Sequence, residues 1–255
     1  MTVYELNKYM NERIPRELSC TWDNDGLMCC PDGNREVKKI LFCMDVTPEA
    51  IDFAIENGYD LIISHHPLIF KGVKSVSGDF GIPARIIKLI KNDVSVMSFH
   101  TRFDAVDGGV NDALAEIFGL CDVEKVVCDG IEMMRIGTLK DEMTLEAFVA
   151  LVKEKLGCDH LNFASHTGKV RRLAVLGGGG GGYIRDAQNA GADTYLSGEI
   201  GYHNLTDCND YRINLVEAGH YFTENPSLKN LAKFVLEADS SIECGYYQTN
   251  IINQI

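Results

Sequence analysis

The chain has 255 residues, 45% of them hydrophobic and 24% charged, a balance that suits a globular protein with room for one large domain or two small ones. Its formal charge of −13 repels phosphate backbones, so nucleic-acid binding by general electrostatics is not expected. No stretch approaches the roughly 18 apolar residues of a membrane span, and the N-terminal "MTVYELNKYMNERI" lacks the apolar core of a signal peptide.

The elements follow in chain order. Thr2 and Glu5 form a capping box before Val3, Leu6, Met10 and Ile14, and Pro15 ends that helix. "KKILFCMDV" (38–46) reads as a buried strand. Thr47 caps a helix with Pro48 at its first position and Gly58 at its end. "DLIISHH" and "DVSVMSFH" (93–100) are the next strands, and "VNDALAEIFGL" (110–120) is helical. The order then recurs. "TLEAFVALVKEKLG" (144–157) is a helix capped by Thr144, "RRLAVLG" (171–177) a strand, and "YIRDAQNAG" (183–191) a helix. "DTYLSGE" (193–199) and "INLVEAGH" (213–220) are strands. A last helix starts at Asn225-Pro226, with Leu228, Leu231, Val235 and Leu236 expected to face inward.

This recurrence looks like an internal duplication. Laying 38–64 over 171–197 without gaps pairs Ile51 with Ile184, Ala54 with Ala187, Gly58 with Gly191, Asp60 with Asp193 and Ser64 with Ser197. The expected fold is therefore α/β, with two similar lobes spanning residues 1–122 and 123–255 that act as one functional unit.

Polar residues gather at the expected strand ends. The first half has Ser64-His65-His66, then His100 and, four residues on, Asp104. The second has Ser197-Gly198-Glu199, then His220 and, four residues on, Glu224. On a helical turn, His and carboxylate at that spacing share a face. Four imidazoles and two carboxylates suit zinc, iron, manganese or nickel. Adjacent side chains near a strand end diverge, so His65 and His66 suit two ions better than one. The pattern points to a dinuclear centre with His65 and Asp104 on one ion, His66 and His220 on the other, and Glu224 bridging. His100 is then a further ligand, or orients Asp104 or a water for catalysis. His160 and His166 read as solvated, while His203, four residues after Glu199, is ambiguous.

Three other features stand out. The run "LGGGGGGY" (176–183) either cradles an anion with bare N–H groups or allows close backbone approach. "CTWDNDGL" (20–27) holds the only Trp in a turn that faces either substrate or solvent. Nine Cys with no C-x-x-C pair suit reduced thiols in the cytoplasm.

Together, "WDNDGL", "DVTPEAIDFAIENGYDLIISHHPLIFK", "HTRFDAVDGGVNDALAE", "LGGGGGGYIRDAQNAGADTYLSGEIGYH" and "EAGHYFTE" resemble the NIF-three-like (YbgI-like) family, also known as GTP cyclohydrolase 1 type 2 homologues. The resemblance spans nearly the whole chain and fits the shorter form of the family. It implies a ring-shaped homohexamer with a dinuclear metal centre in each subunit. The family's ligands fall on His65, His66, Asp104, His220 and Glu224, with His100 close by. A metal-dependent hydrolase acting on a nucleotide or phosphoester is the leading expectation. A non-catalytic metal-binding or metal-delivery protein, or an oligomeric scaffold, is the alternative.

Overall fold

In the computed structural model, which describes residues 1–250 and 252, the fully apolar runs form strands buried on both faces. The strands are β1 Gly26–Cys29, β2 Lys39–Cys43, β3 Leu61–Ser64, β4 Ser95–Ser98, β5 Cys121–Cys128, β6 Ile131–Thr144, β7 Asn162–Ala164, β8 Lys169–Gly179, β9 Thr194–Glu199, β10 Asn214–Glu217 and β11 Glu243–Tyr246. Every residue of β3 and β4 is buried, as a parallel strand covered on both faces requires.

The chain divides into two compact units. Of the described residues, the first comprises 1–103 and 228–250, and the second 104–227 and 252. The first holds a five-stranded sheet in the order β1-β4-β3-β2-β11. Strands β11, β2, β3 and β4 run parallel, and β1 is antiparallel to β4. The second holds a six-stranded sheet in the order β5-β6-β8-β9-β10-β7. Here β8, β9 and β10 are parallel, and β7 is antiparallel to β10. The first unit thus has four parallel strands and the second three, each run followed by an antiparallel strand beside its last parallel strand, and both sheets are α/β in construction.

The aligned residues do matching work in the two units. Asp60 accepts the backbone N–H of Lys38 at 2.9 Å and Lys39 at 3.1 Å. Asp193 accepts those of Arg171 at 2.9 Å and Arg172 at 2.7 Å. Each carboxylate therefore pins the start of the first parallel strand to the start of the second. Ile51, Ala54, Ile184 and Ala187 are all buried. Gly58 and Gly191 end their helices at φ +68° and +86°, a region only glycine enters without strain. These shared roles support the duplication better than five identities do.

Helix boundaries follow the local signals. The capping box at Thr2 and Glu5 starts the helix Val3–Arg13. Thr47 caps Pro48–Glu56 and Thr144 caps Leu145–Leu156. The last helix begins at Leu228 after a short 3₁₀ turn at Asn225–Ser227. Leu228, Leu231 and Val235 are buried, but Leu236 is 38% exposed. One step of about 100° past Val235 carries Leu236 off the apolar face, so the inward expectation for it fails. Among the described residues, no helix is long and apolar enough to cross a membrane.

One buried ion pair holds the segment that delivers His100. Arg102 Nε donates to Asp25 Oδ2 at 2.8 Å, and neither side chain is more than 2% exposed. Arg102 Nη1 also donates to Asn11 Oδ1 and to the Ile14 carbonyl, each at 2.8 Å. Asp25 further accepts the His100 backbone N–H at 3.2 Å. Burial pulls the Arg102 guanidinium below its ordinary range, and the Asp25 charge opposes that shift. Removing one partner strands the other charge in the core. Asp25→Ala should cost about 3–5 kcal/mol in chemical denaturation, well above a surface truncation.

Candidate metal centre

In the first unit, the parallel strands β2, β3 and β4 end at one edge. The His65 N–H donates to the Cys43 carbonyl at 3.2 Å, and the His66 N–H to the Met44 carbonyl at 2.9 Å. The backbone of both histidines is thereby fixed as a continuation of β3. The chain bends at both residues, however, and strand alternation lapses. The two rings therefore do not diverge as strand geometry predicts. Their centroids are 5.0 Å apart, and His100 stands 5.3 Å from His65 and 5.7 Å from His66. One ligand nitrogen from each of the three lies within 4.8 Å of the others.

All three imidazoles are oriented in the same way. His65, fully buried, has Nδ1 2.9 Å from the Phe99 carbonyl oxygen. His66 Nδ1 is 2.8 Å from Asp45 Oδ1. His100 Nδ1 is 2.8 Å from Asp23 Oδ1. A carbonyl oxygen only accepts, so His65 carries its proton on Nδ1, and Nε2 holds the lone pair. The carboxylates impose the same tautomer on the other two rings. Three Nε2 lone pairs, each backed by an oxygen acceptor on the far nitrogen, are the arrangement that metal-binding histidines adopt. The donor set fits a divalent ion of the zinc, iron, manganese or nickel type.

In the second unit, His220 opens the helix His220–Glu224 after β10. Its Nε2 lies 3.2 Å from Glu224 Oε2, so His and carboxylate share one face of the turn. Its Nδ1 lies 3.4 Å from Glu199 Oε1. Glu224 is buried. A carboxylate oxygen of Asp104 lies within 4.8 Å of one from Glu224. The Asp104 carbonyl accepts from Asn111 Nδ2 at 3.1 Å, and Asn111 Oδ1 accepts the Gly177 N–H at 2.8 Å. Asp104, His220 and Glu224 are thus gathered in one unit, and His65, His66 and His100 in the other.

The glycine run is explained by crowding. A Cβ on Gly178 would stand 2.1 Å from Glu224 Oε1, and one on Gly180 would stand 2.1 Å from Ser197 Oγ. A Cβ on Gly181 would stand 2.5 Å from the Ile200 carbonyl oxygen. The N–H groups of Gly177, Gly178 and Gly180 already donate to Asn111, Thr223 and Glu199. The run therefore allows close backbone approach, and these donors are not left for an anion.

The remaining histidines lie elsewhere. His160, His166 and His203 are exposed, and His203 packs its ring on Tyr202. The residue that sequence reasoning missed is Asp23, which it read only as part of a turn. Its side chain is fully buried and accepts from the Thr101 hydroxyl at 2.6 Å and the Thr101 N–H at 3.1 Å as well as from His100. Nothing in local spacing links it to an imidazole 77 positions away.

Burial alone would raise the Asp23 carboxyl, but the bonds and charge from His100 and the Thr101 bonds outweigh it and hold it at about 2, below the ordinary 3.8. A depressed carboxyl adds stability above its unfolded value and loses it as pH falls through the folded one. Asp23→Asn should therefore destabilise the protein at neutral pH, and the deficit should shrink between pH 3.8 and about 2. Denaturant titrations of both proteins across that range measure it. In the second unit, Gly178→Ala should displace the Glu224 carboxylate and lower metal uptake by about 10–100-fold, read by competition with a chelator.

These features can be set beside known proteins. The profile of the Duf34/NIF3 (NGG1p interacting factor 3) family matches residues 1–251. A Clostridium perfringens protein named GTP cyclohydrolase 1 type 2 homolog is 34% identical over 250 residues, covering 95% of each chain. A Clostridium acetobutylicum protein of the same name is 32% identical over 242 residues, covering 91% of this chain and 89% of its own. The crystal structure of a Staphylococcus aureus hypothetical protein superimposes with a TM-score of 0.91 at 28% identity, covering 100% of this chain and 99% of its own. Reduced HcgD from Methanocaldococcus jannaschii gives a TM-score of 0.83 at 27% identity, covering 96% and 97%. On the match along its length and the shared fold, the chain belongs to the Duf34/NIF3 family.

Proposed function

We propose that this chain is a metal-dependent hydrolase with a dinuclear centre held by His65, His66, Asp104, His220 and Glu224. The observation that carries the reading is the set of three imidazoles whose Nδ1 atoms are fixed by Phe99, Asp45 and Asp23. The names of the clostridial relatives, GTP cyclohydrolase 1 type 2 homolog, support a nucleotide as substrate, and a phosphoester is the other candidate for such a centre. Two divalent ions, when bound, would lower the pKa of a water and polarise the electrophilic carbon or phosphorus.

The chain's own residues supply the rest. His65 and His66 hold their lone-pair nitrogens in fixed directions, so little reorganisation accompanies binding. Buried Glu224, with His220 and Asp104, would supply the donors that hold the ions in its unit. His100 accepts the proton of the attacking water at Nε2. The imidazolium so formed is stabilised by the Asp23 carboxylate at Nδ1. The water oxygen forms the new bond, and the leaving group departs with the bonding pair. The proposal takes a cytoplasmic, ring-shaped homohexameric form, which light scattering on the purified protein would measure.

Elemental analysis of the purified protein should find about two divalent ions per chain at saturation. The metal-loaded protein should turn over GTP or a generic phosphoester, and Glu224→Gln should abolish that turnover. Metal at full stoichiometry with no turnover above Glu224→Gln would instead favour the metal-binding or metal-delivery reading.

A further inference from the structure

The imidazole cluster of the first unit has an aromatic wall that hydrolysis alone does not need. Trp22 is 57% exposed and Phe70 45% exposed. Their ring centroids are 6.0 Å apart in an edge-to-face arrangement. Each also stands 6.1 Å from the His100 ring, again edge to face. Two large apolar rings left half in water, side by side, mark a surface that gains from being covered.

Neither ring sits on slack chain. Asp23, next to Trp22, is locked by His100 and Thr101. The Asn24 side-chain amide donates to the Ile69 carbonyl and ties the Trp22 turn to the residue before Phe70. The pair is therefore held in position before any ligand arrives, which lowers the ordering cost of binding. Lys71 and Lys74 follow Phe70 on an exposed segment, and they supply positive charge in a chain of net −13.

We infer that Trp22 and Phe70 form a subsite for a planar heteroaromatic ring, a nucleobase, packed beside His100. Aromatic faces bind bases by stacking, whatever the base's hydrogen-bonding edge. The inference rests on the reading of this cluster as the reaction site, and it narrows that reading. The substrate carries a base, and a bare phosphoester lacks the group that this wall recognises.

Trp22 is the chain's only tryptophan, so intrinsic fluorescence reports this subsite alone. Guanosine monophosphate should quench its emission saturably, and ribose phosphate, which lacks the base, should not. Phe70→Leu should weaken the guanosine monophosphate response on the order of tenfold. Calorimetry with Trp22→Leu should show a comparable loss. Both side chains are surface groups, and circular dichroism checks that each variant keeps its fold. The subsite is overturned if ribose phosphate quenches equally, if nothing saturates, or if both variants bind guanosine monophosphate as well as the native protein. Turnover of a simple phosphoester with no base-dependent quenching removes the subsite and leaves the hydrolase. Base-dependent quenching with bound metal and no turnover removes the hydrolase and leaves the subsite.

Discussion

Parallel pairing imposes the constraint on which the candidate site depends. Strands that run the same way must end at the same edge, and the chain can be polar only where it leaves the sheet. In the first unit this edge receives Asp45 after β2, His65 and His66 after β3, and His100 after β4. In the second it receives the glycine run at the end of β8, Glu199 at the end of β9 and His220 after β10. The opposite edge is secured by Asp60 in one unit and Asp193 in the other, each holding two backbone N–H groups. One edge is locked by a repeated carboxylate, and chemistry collects at the other.

The duplicated units then part company at their carboxyl edges, for a steric reason. Position 198 in the second unit aligns with His65 in the first. A Cβ at Gly198 would meet the Gly178 carbonyl oxygen at 2.6 Å and Thr223 Oγ1 at 2.7 Å. No imidazole fits there. The same alignment sets Asp45 against Gly178. Asp45 orients His66, whereas Gly178 lacks a side chain and so admits Glu224. The absence of a side chain at these two positions leaves room in the second unit for a buried carboxylate. It therefore offers mainly oxygen donors where the first offers nitrogen.

Legibility in the sequence followed the range of the interactions. Caps, buried strands and the duplicated order rest on neighbours a few residues apart, and Thr2, Thr47, Thr144, Gly58 and Gly191 all act as local rules dictate. The helix Gly81–Lys91 went unread because it follows an exposed, structureless stretch and carries Pro83 in its first turn. Strand β11 went unread because "ECGY" is short and half-exposed, and only its pairing with β2, some 200 residues earlier, makes it a strand. The histidine and carboxylate pattern named residues that the fold gathers within each unit, His65, His66 and His100 in the first and Asp104, His220 and Glu224 in the second. The expected divergence of His65 and His66 failed, because alternation belongs to extended chain and both residues lie on a bend. Asp23 was hidden for the same reason as β11, since its partner is remote in sequence.

Carboxylates stand against the imidazoles at the strand ends of each unit. Asp23, Asp45, Glu199 and Glu224 each stand against an imidazole nitrogen. In a chain already at −13, these carboxylates make the strand ends of each unit hostile to a lone anion and favourable to a cation. The exposed aromatic pair escapes this restriction, because a stacked ring gains from dispersion and desolvation without regard to the sign of the field.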